Sequence, residues 1–462
     1  MQNPTIEMTN LTAESIPVLA EQRAGTELWL GDDSVMTWVQ FGAAVEVVRR
    51  QCAEAGVEPG EIVVTPGDST FEALAWLFGA AATGAVVAPL RWERMGEFHG
   101  WKDFLKIGWR VWEGRLVRVR EGTMSATSVR LLDELRGRRQ PGLVLATGGT
   151  TGIPKLVLHD LSALLATVPV KLNPSRRMLP LMRFDHIGGL DMAWRALAGN
   201  QVLVVPPAEI SAASVAAAIV RHRVEVLPAT PSFLNLLLLA GVHLTYDLSS
   251  LRVVAYGAEP MPAGLLARLR TALPAVEFVQ RFGTSETGAL PVRDEGKGLV
   301  LRGNQNGFAW KVVKGELWVQ SPARALGYLA GDASGFEPDG WFRTGDVAEQ
   351  LPGGAIRVLG RREELINVGG EKVLPSEVES VLMAHHLVAD CRIAPGHSAL
   401  LGQVVAADIV WRGPERDAVA VKRVLHAYAG GLLARHKLPA VVRLVPALDA
   451  TGNLKKQRNF CA

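Results

Sequence analysis

Cysteine is nearly missing from this chain. Its three copies, Cys52, Cys391 and Cys461, are scattered through 462 residues, form no CxxC pair and stand at no ligand spacing with histidine. A disulfide framework and a cysteine-based structural zinc site are therefore not expected, and a reducing cytosol fits. Charge of one sign is lacking too. The 49 Lys and Arg nearly cancel the 46 Asp and Glu, leaving a formal net charge of +3 and no long basic run. Neither nucleic acid nor a lipid surface is called for as a partner. Met1 to Glu14 carries acids and amides with no apolar core, so a secretory signal is not expected there. One stretch, Ala73 to Leu90, is almost wholly apolar, but Gly79, Gly84 and Pro89 interrupt it and Val86-Val87 is β-branched. It reads as a buried helix, a Gly turn and a short buried strand rather than a membrane span.

What is present is ordinary soluble globular composition, 48% hydrophobic and 21% charged. The length suits two or three lobes rather than one compact domain. Thr37 can cap a helix through Trp38, Phe41, Val45 and Val48, ended by Gly56 and Pro59-Gly60. Ile62 to Val64 reads as a strand, then a helix near Phe71 to Ala82, then a strand near Val86. Strand alternating with helix implies a covered parallel sheet. Trp92, Trp101, Trp109 and Trp112 are read as packing residues, and only the last two share a helical spacing. Further strands are expected at Leu143–Leu145, Leu156–Leu158, Val202–Val205, Val253-Val254 and Phe278-Val279. Further helices are expected at Ala212–Ile219, Pro231–Leu239 and Ala263–Leu273. After Leu317 short strands with Gly and Pro turns take over. A new unit begins near Leu359 to Glu363, with helices at Pro375–Met383 and Ala418–Leu433. The boundary is placed at Arg362, giving domains 1–362 and 363–462.

Four segments could carry chemistry. Thr147-Gly148-Gly149-Thr150-Thr151-Gly152-Ile153-Pro154-Lys155 follows a strand. Its glycines let backbone N–H groups approach phosphate oxygens, a Thr hydroxyl such as that of Thr151 can face magnesium, and Lys155 adds positive charge. It is not the GxxxxGK[ST] loop. Phe282-Gly283-Thr284-Ser285-Glu286-Thr287-Gly288 offers an aromatic that can stack on a flat base and a hard oxygen donor for magnesium, Glu286. Trp341 to Asp346 ends on a carboxylate able to accept two ribose hydroxyls. Gly360 to Glu379 closes with Pro375 and acids in the first turn of a helix. Taken singly, these could be a surface turn, a capped strand end, an Asx turn and a helix start.

In this order the four segments resemble the adenylate-forming superfamily of acyl-CoA synthetases, adenylation domains and firefly-type luciferases, over about Thr37 to Lys456. The short chain, Leu179-Pro180-Leu181 before His186-Ile187-Gly188-Gly189, and Gly369 to Val373 are similar to o-succinylbenzoate–CoA ligases. The resemblance implies an α/β fold. A large N-terminal domain would hold mixed, mainly parallel sheets covered by helices plus a β-barrel-like subdomain. A small mobile α+β domain would follow it.

The resemblance also implies roles. Thr147, Gly148, Gly149, Thr150, Thr151, Gly152 and Lys155 would grip the ATP phosphates. Gly257, Ala258 and Glu259 would lie along the adenine and the acyl pocket. Phe282 would stack on adenine with Gly283 and Thr284 beside it, and Ser285 would sit near the α-phosphate. Glu286 and Thr151 would hold magnesium. Asp346 and Arg361 would bind ribose, and His186 would stand at the mouth of the acyl pocket. A hinge at Glu363 would bring Gly370 to a pantetheine tunnel. The implied chemistry is ATP-dependent formation of an acyl-adenylate with pyrophosphate release, then transfer to coenzyme A, in the cytoplasm. The other substrate is a small carboxylic acid. A carrier-protein thiol or an amine is the alternative acceptor, a nucleotide-binding pseudo-enzyme the alternative class, and a homodimer stays open.

The chain departs from the family at several places. Gly148 replaces the usual Ser, Leu156 the usual Gly, and Glu363 the usual Asp or Lys of the hinge. Three extra residues precede His186. Asn453 stands where the catalytic Lys is often found. Lys455 is therefore expected to take that role, ahead of Lys456.

Overall fold

The structure, a computed structural model, describes residues 10–90, 105–147, 155–171, 173–294, 299–302, 307–330 and 334–448. Two seven-stranded sheets form its larger part. The first runs in the order Glu277–Gln280, Val253–Tyr256, Val226–Ala229, Arg177–Met178, Val202–Val204, Glu27–Leu30, Val35–Thr37, with only the last pairing antiparallel. The second runs Gly327–Ala330, Lys155–Asp160, Gly142–Thr147, Val86–Pro89, Ile62–Thr65, Ile107–Trp112, Arg115–Glu121. Its three central pairings are parallel and its flanking ones antiparallel.

Sequence explains the layer between these sheets. Thr37 and Gln40 form a reciprocal capping box that starts the helix Trp38–Ala55, and Gly56 ends it at φ +78°. Thr70 caps Phe71–Ala81. The two helices approach closely because Gly79 has no Cβ; one built there would lie 2.6 Å from Val48. Phe41 is packed edge-on against Trp38, Phe71 and Phe78. These helices and Ile187–Ala198 share one core with Leu28 and Leu203 of the first sheet and Val63, Val87 and Leu143 of the second. The apolar stretch after Ala73 is thus the expected buried helix, a turn at Gly84 (φ +79°) and a buried strand. Among the described residues no helix is long and apolar enough to cross a membrane.

The tryptophan spacing is corrected. Trp109 and Trp112 lie on the strand Ile107–Trp112, not on a helix. Trp109 is buried, donates to Glu61 Oε2 at 2.8 Å and lies beneath the Arg118 guanidinium, so packing is its role. Trp92 and Trp101 fall outside the described residues.

A hairpin, Phe282–Thr284 with Gly288–Leu290, leads from the first sheet into a six-stranded antiparallel sheet with its own core of Leu301, Phe308, Trp310, Leu317, Val319 and Ile356. The chain leaves that sheet at Ile356–Arg361 and turns through Arg362–Glu364. It then enters a last sheet of Glu371–Val373, Ile366–Val368, Gly402–Trp411, Val388–Ser398 and Val441–Leu444. The helices Pro375–Leu382 and Ala418–Ala429 cover it.

This last unit rests on the helix Ala263–Ala272. The Ala263 N–H donates to Ser380 Oγ at 3.3 Å, and Asn235 Nδ2 donates to the Ala389 carbonyl at 3.4 Å. Arg268 donates to that same carbonyl and to Asn235 Oδ1. Gly264 lies so near Ala384 that a Cβ would come within 2.8 Å of its Cα.

Candidate active site

Strand ends from three sheets meet at one place. Asp346 lies on Phe342–Gln350, directly opposite Arg361 on Ile356–Arg361. Its carboxylate is 4% exposed, and Oδ1 forms an ion pair with Arg361, 3.1 Å from Nε. The Asp346 N–H donates to Thr344 Oγ1 at 3.0 Å, and a second Arg361 nitrogen donates to the Thr344 carbonyl at 2.9 Å. The other carboxylate oxygen, Oδ2, is buried with no hydrogen-bond partner among the described residues. Burial pushes the Asp346 carboxyl above the usual aspartate range. Arg361 and Thr344 pull it back, while Glu286 and Glu363 raise it further. A buried acceptor without a donor is costly unless something else donates to it.

Glu286 sits in the turn of the Phe282–Leu290 hairpin. Thr284 Oγ1 accepts the N–H groups of Glu286 and Thr287, which fixes the turn. Gly283 has no room for a Cβ against the Gly288 backbone. The Glu286 carboxylate accepts from the Tyr328 hydroxyl at 2.7 Å. Lys155 Nζ lies 5.0 Å from the centre of the Tyr328 ring. Lys155 itself pairs with Thr147 as the last rung of two antiparallel strands. Lys155, Tyr328 and Glu286 therefore form one polar track, and Asp346 with Arg361 stands near enough to feel the Glu286 charge.

His159, four rungs further along the Lys155 strand, supports the turn. It is fully buried, and its Nε2–H donates to the Ser285 carbonyl at 2.6 Å. Burial pushes its pKa down to about 4, opposed by the hydrogen bond to the Ser285 carbonyl and the nearby Glu286 charge. It is neutral at neutral pH and acts as a positioning residue for Ser285 and Glu286.

Gly257 and Ala258 follow the buried strand Val253–Tyr256. A Cβ at Gly257 would lie 2.6 Å from the Arg281 carbonyl, and the Arg281 N–H donates to the Tyr256 carbonyl at 2.7 Å. Ala258 has φ +67°, a left-handed conformation uncommon outside glycine and frequent at functional sites. Glu259 Oε2 accepts from the Ser232 hydroxyl at 2.7 Å and from its N–H. Phe282, half-buried, begins the next strand. His186 precedes the helix Ile187–Ala198, with Nε2 3.5 Å from the buried Asp185 carboxylate. Gly189 lets that helix start close against Arg183, whose carbonyl a Cβ would strike.

Gly370, at φ +99°, turns the hairpin between Ile366–Val368 and Glu371–Val373, and its N–H donates to Asn367 Oδ1 at 3.1 Å. A Cβ there would meet nothing within 4 Å, so Gly370 faces open space. Gly148, Gly149, Thr150, Thr151 and Gly152 lie outside the described residues, as do Asn453, Lys455 and Lys456. Three residues of the site were not picked out from sequence. Tyr328 and His159 had no local motif, only a place in a strand. Arg281 had one signal, its position directly before Phe282.

The family profile described as AMP-binding enzyme matches residues 132–329, and that of the AMP-binding enzyme C-terminal domain matches residues 377–455. The chain is 26% identical to the indoleacetate–CoA ligase of Aromatoleum aromaticum, over 91% of this chain and 92% of that one. It is 30% identical to the 2-succinylbenzoate–CoA ligase of Bacillus cytotoxicus, over 68% of each. Its fold is similar to the crystal structure of an anthranilate CoA ligase in complex with anthranoyl-AMP, with a TM-score of 0.76 and 20% identity over 97% of this chain and 98% of that one.

Proposed function

This chain belongs to the AMP-binding enzyme family, and from that premise we propose how its residues divide an AMP-forming acid–thiol ligase reaction. In the first step an oxygen of the substrate carboxylate forms a bond to the α-phosphorus of ATP in line, and the bond to pyrophosphate breaks. In the second, the sulfur of coenzyme A attacks the acyl carbon, AMP leaves, and the thiol proton is released. Little covalent chemistry falls to the protein, so positioning and charge stabilisation dominate.

The observation that carries the assignment is that Tyr328 joins Lys155 to Glu286, with the Asp346–Arg361 pair near enough for Asp346 to feel the Glu286 charge. The partnerless Asp346 Oδ2 is suited to accept a ribose hydroxyl, and Arg361 holds the carboxylate ready for it. Phe282 would cover the adenine, with Gly257, Ala258 and Glu259 alongside. Lys155 and the segment from Thr147 to Gly152 would take the phosphates. Magnesium fits the donor set. Such an ion is held by one or two carboxylates completed by phosphate and water oxygens, and Glu286 is a half-buried hard carboxylate linked through Tyr328 to Lys155. Thr151 would add a hydroxyl. When bound, the ion supplies neutralisation of the pyrophosphate charge.

We place a hinge in the turn Arg362–Glu364, dividing 1–362 from 363–462. Rotation there would exchange Lys455, which serves the first step, for Gly370, which would line the path of the pantetheine arm. A carrier-protein thiol would use the same path. The scarcity of cysteine supports a cytoplasmic setting.

Acid-dependent exchange between ATP and pyrophosphate, run across a broad acid library, tests the first step; coenzyme A consumption tests the second. Exchange without any coenzyme A consumption would move the acceptor to a carrier protein or an amine. No exchange with any acid would sink the reading.

A further inference from the structure

One helix touches both the loop assigned to the adenine and the seam under the C-terminal unit. Pro231–Leu239 is capped by Thr230 and has Pro231 in its first turn, so its start is fixed. At that start Glu259 Oε2 accepts from the Ser232 hydroxyl at 2.7 Å and from the Ser232 N–H at 3.2 Å. A carboxylate suits this positive end of the helix. Three residues on, Asn235 is buried, and its Nδ2 donates across the seam to the Ala389 carbonyl at 3.4 Å. Its Oδ1 accepts from Arg268 at 3.3 Å, and Arg268 reaches the same carbonyl. The spacing of three puts Ser232 and Asn235 on one face of a rigid turn.

A second limb runs along the chain itself. Glu259 is followed by Pro260, Met261 and Pro262, then by Ala263, whose N–H donates to Ser380 Oγ at 3.3 Å on the far side of the seam. The two prolines fix φ and leave little slack. Both limbs start at Glu259, next to Ala258 with its left-handed backbone at φ +67°. Such a conformation persists only where the surroundings hold it, so a ligand on this loop acts directly on the start of both limbs. Between the limbs lies a small cavity lined by Ser232, Asn235, Glu259, Pro260, Leu265 and Glu379, the last from the C-terminal unit. That space lets Ser232 and Asn235 shift with Glu259 without a clash.

We propose that Ser232 and Asn235 are positioning residues that couple nucleotide binding to docking of the C-terminal unit. ATP that fixes the Gly257-Ala258-Glu259 loop favours the arrangement in which Glu259, Ser232, Asn235 and Ala389 are joined. Docking in turn tightens ATP by the same factor. The assignment rests on the nucleotide site and the hinge proposed above, and adds the contacts through which the two communicate.

Hydrogen exchange of the full chain, read by mass spectrometry with and without saturating ATP and magnesium, tests the coupling. The segments to follow are 260–266 and 380–388, which face each other across the seam. Pro260 and Pro262 carry no N–H, so the first segment reports largely on the opening turn of Ala263–Ala272. In the wild type ATP should slow exchange in both segments by at least about fivefold, the low end of coupling between sites. Ser232→Ala should remove most of that slowing and weaken ATP binding by the same factor in calorimetry, whereas Ser232→Thr, which keeps the hydroxyl, should retain it. Asn235→Asp keeps the acceptor for Arg268 but deletes the donor to Ala389, and should also uncouple the two; Ser232→Ala decides if that variant does not fold. No slowing in the wild type, faster exchange with ATP, or slowing that survives Ser232→Ala would overturn the proposal, and acid-dependent pyrophosphate release in the same samples would leave the adenylation reading standing. Absence of both ATP binding and pyrophosphate release with any acid overturns that reading and this proposal with it.

Discussion

The two sides of Phe282 are built differently. On the Asp346 side, charges are matched before any ligand arrives. Asp346 has Arg361, Glu286 has the Tyr328 hydroxyl, and His159 clamps the turn from beneath. On the side of the helix Ile187–Ala198 the pairing stays within one element, Arg195 Nε donating to Asp191 Oδ2 at 2.8 Å. A matched site whose partners come from several strands is pre-organised for a ligand that never changes, and a helix-local pair leaves the neighbouring surface to vary.

Breaking the matched side should do most harm. Glu286→Gln keeps the shape and the Tyr328 contact but removes a hard anionic ligand. We expect kcat/KM for ATP to fall about a thousandfold, about 4 kcal/mol of transition-state stabilisation, with the circular dichroism spectrum unchanged. Wild-type rates at limiting magnesium would remove Glu286 from the machinery.

Lys455→Ala comes next, at about a hundredfold slower acyl-adenylate formation, or about 2.7 kcal/mol. Thiolysis of supplied acyl-adenylate should be nearly untouched. Lys456→Ala should affect neither step, because neighbours on an extended segment point to opposite faces. The reverse pattern transfers the role to Lys456.

Asp346→Asn sharpens the comparison, because it should weaken function without weakening the fold. We expect the KM for ATP to rise about tenfold, the loss of one charge-assisted contact. The carboxyl's pKa is raised by burial, so between the unfolded and folded values the native state holds more protons and stability falls as pH rises. Above that window the ionised group is a standing penalty, so the Asn variant should melt at the wild-type temperature or higher at neutral pH. A clearly lower melting temperature would mean that the Arg361 pair outweighs burial.

The smallest effect at neutral pH belongs to His159. Its pKa is lowered from 6.5 to about 4, so the unfolded chain binds the proton first. Stability is then lost as pH falls through that interval, by at most about 3 kcal/mol. His159→Gln should flatten this slope in denaturant titrations at graded pH. An unchanged slope would place the acid sensitivity elsewhere.

Local chemistry made much of this legible in the sequence. Thr37, Gly56 and Gly84 act over a few residues, and the helices and turns they imply are where they were expected. The alternation of strand and helix likewise led to the mainly parallel first sheet and the parallel centre of the second. Trp109 and Trp112 misled because a spacing of three fits one helical turn, while strand pairing with Ile62–Thr65 set the actual structure. Motif residues such as Asp346 and Glu286 could be named, but not their partners. Tyr328 reaches Glu286 only because Gly327–Ala330 adds itself to the edge of Lys155–Asp160, a pairing across some 170 positions that no local pattern announces.

The contact between Gly264 and Ala384 has a consequence for how such a protein can be improved. On the two-step reading this seam must open and re-form in every catalytic cycle. Leu265 and Leu269 share one apolar core with Val378 and Leu382 across it, and the hydrogen bonds that cross it from Ala263, Asn235 and Arg268 are long, none shorter than 3.3 Å. Gluing the seam would raise the melting temperature and stall the swing. Wedging it with Gly264→Ala would favour the undocked arrangement. Thermostability and turnover are therefore opposing dials on one smooth surface, and a selection for heat resistance alone would be expected to find the seam first and yield a sturdier, slower enzyme.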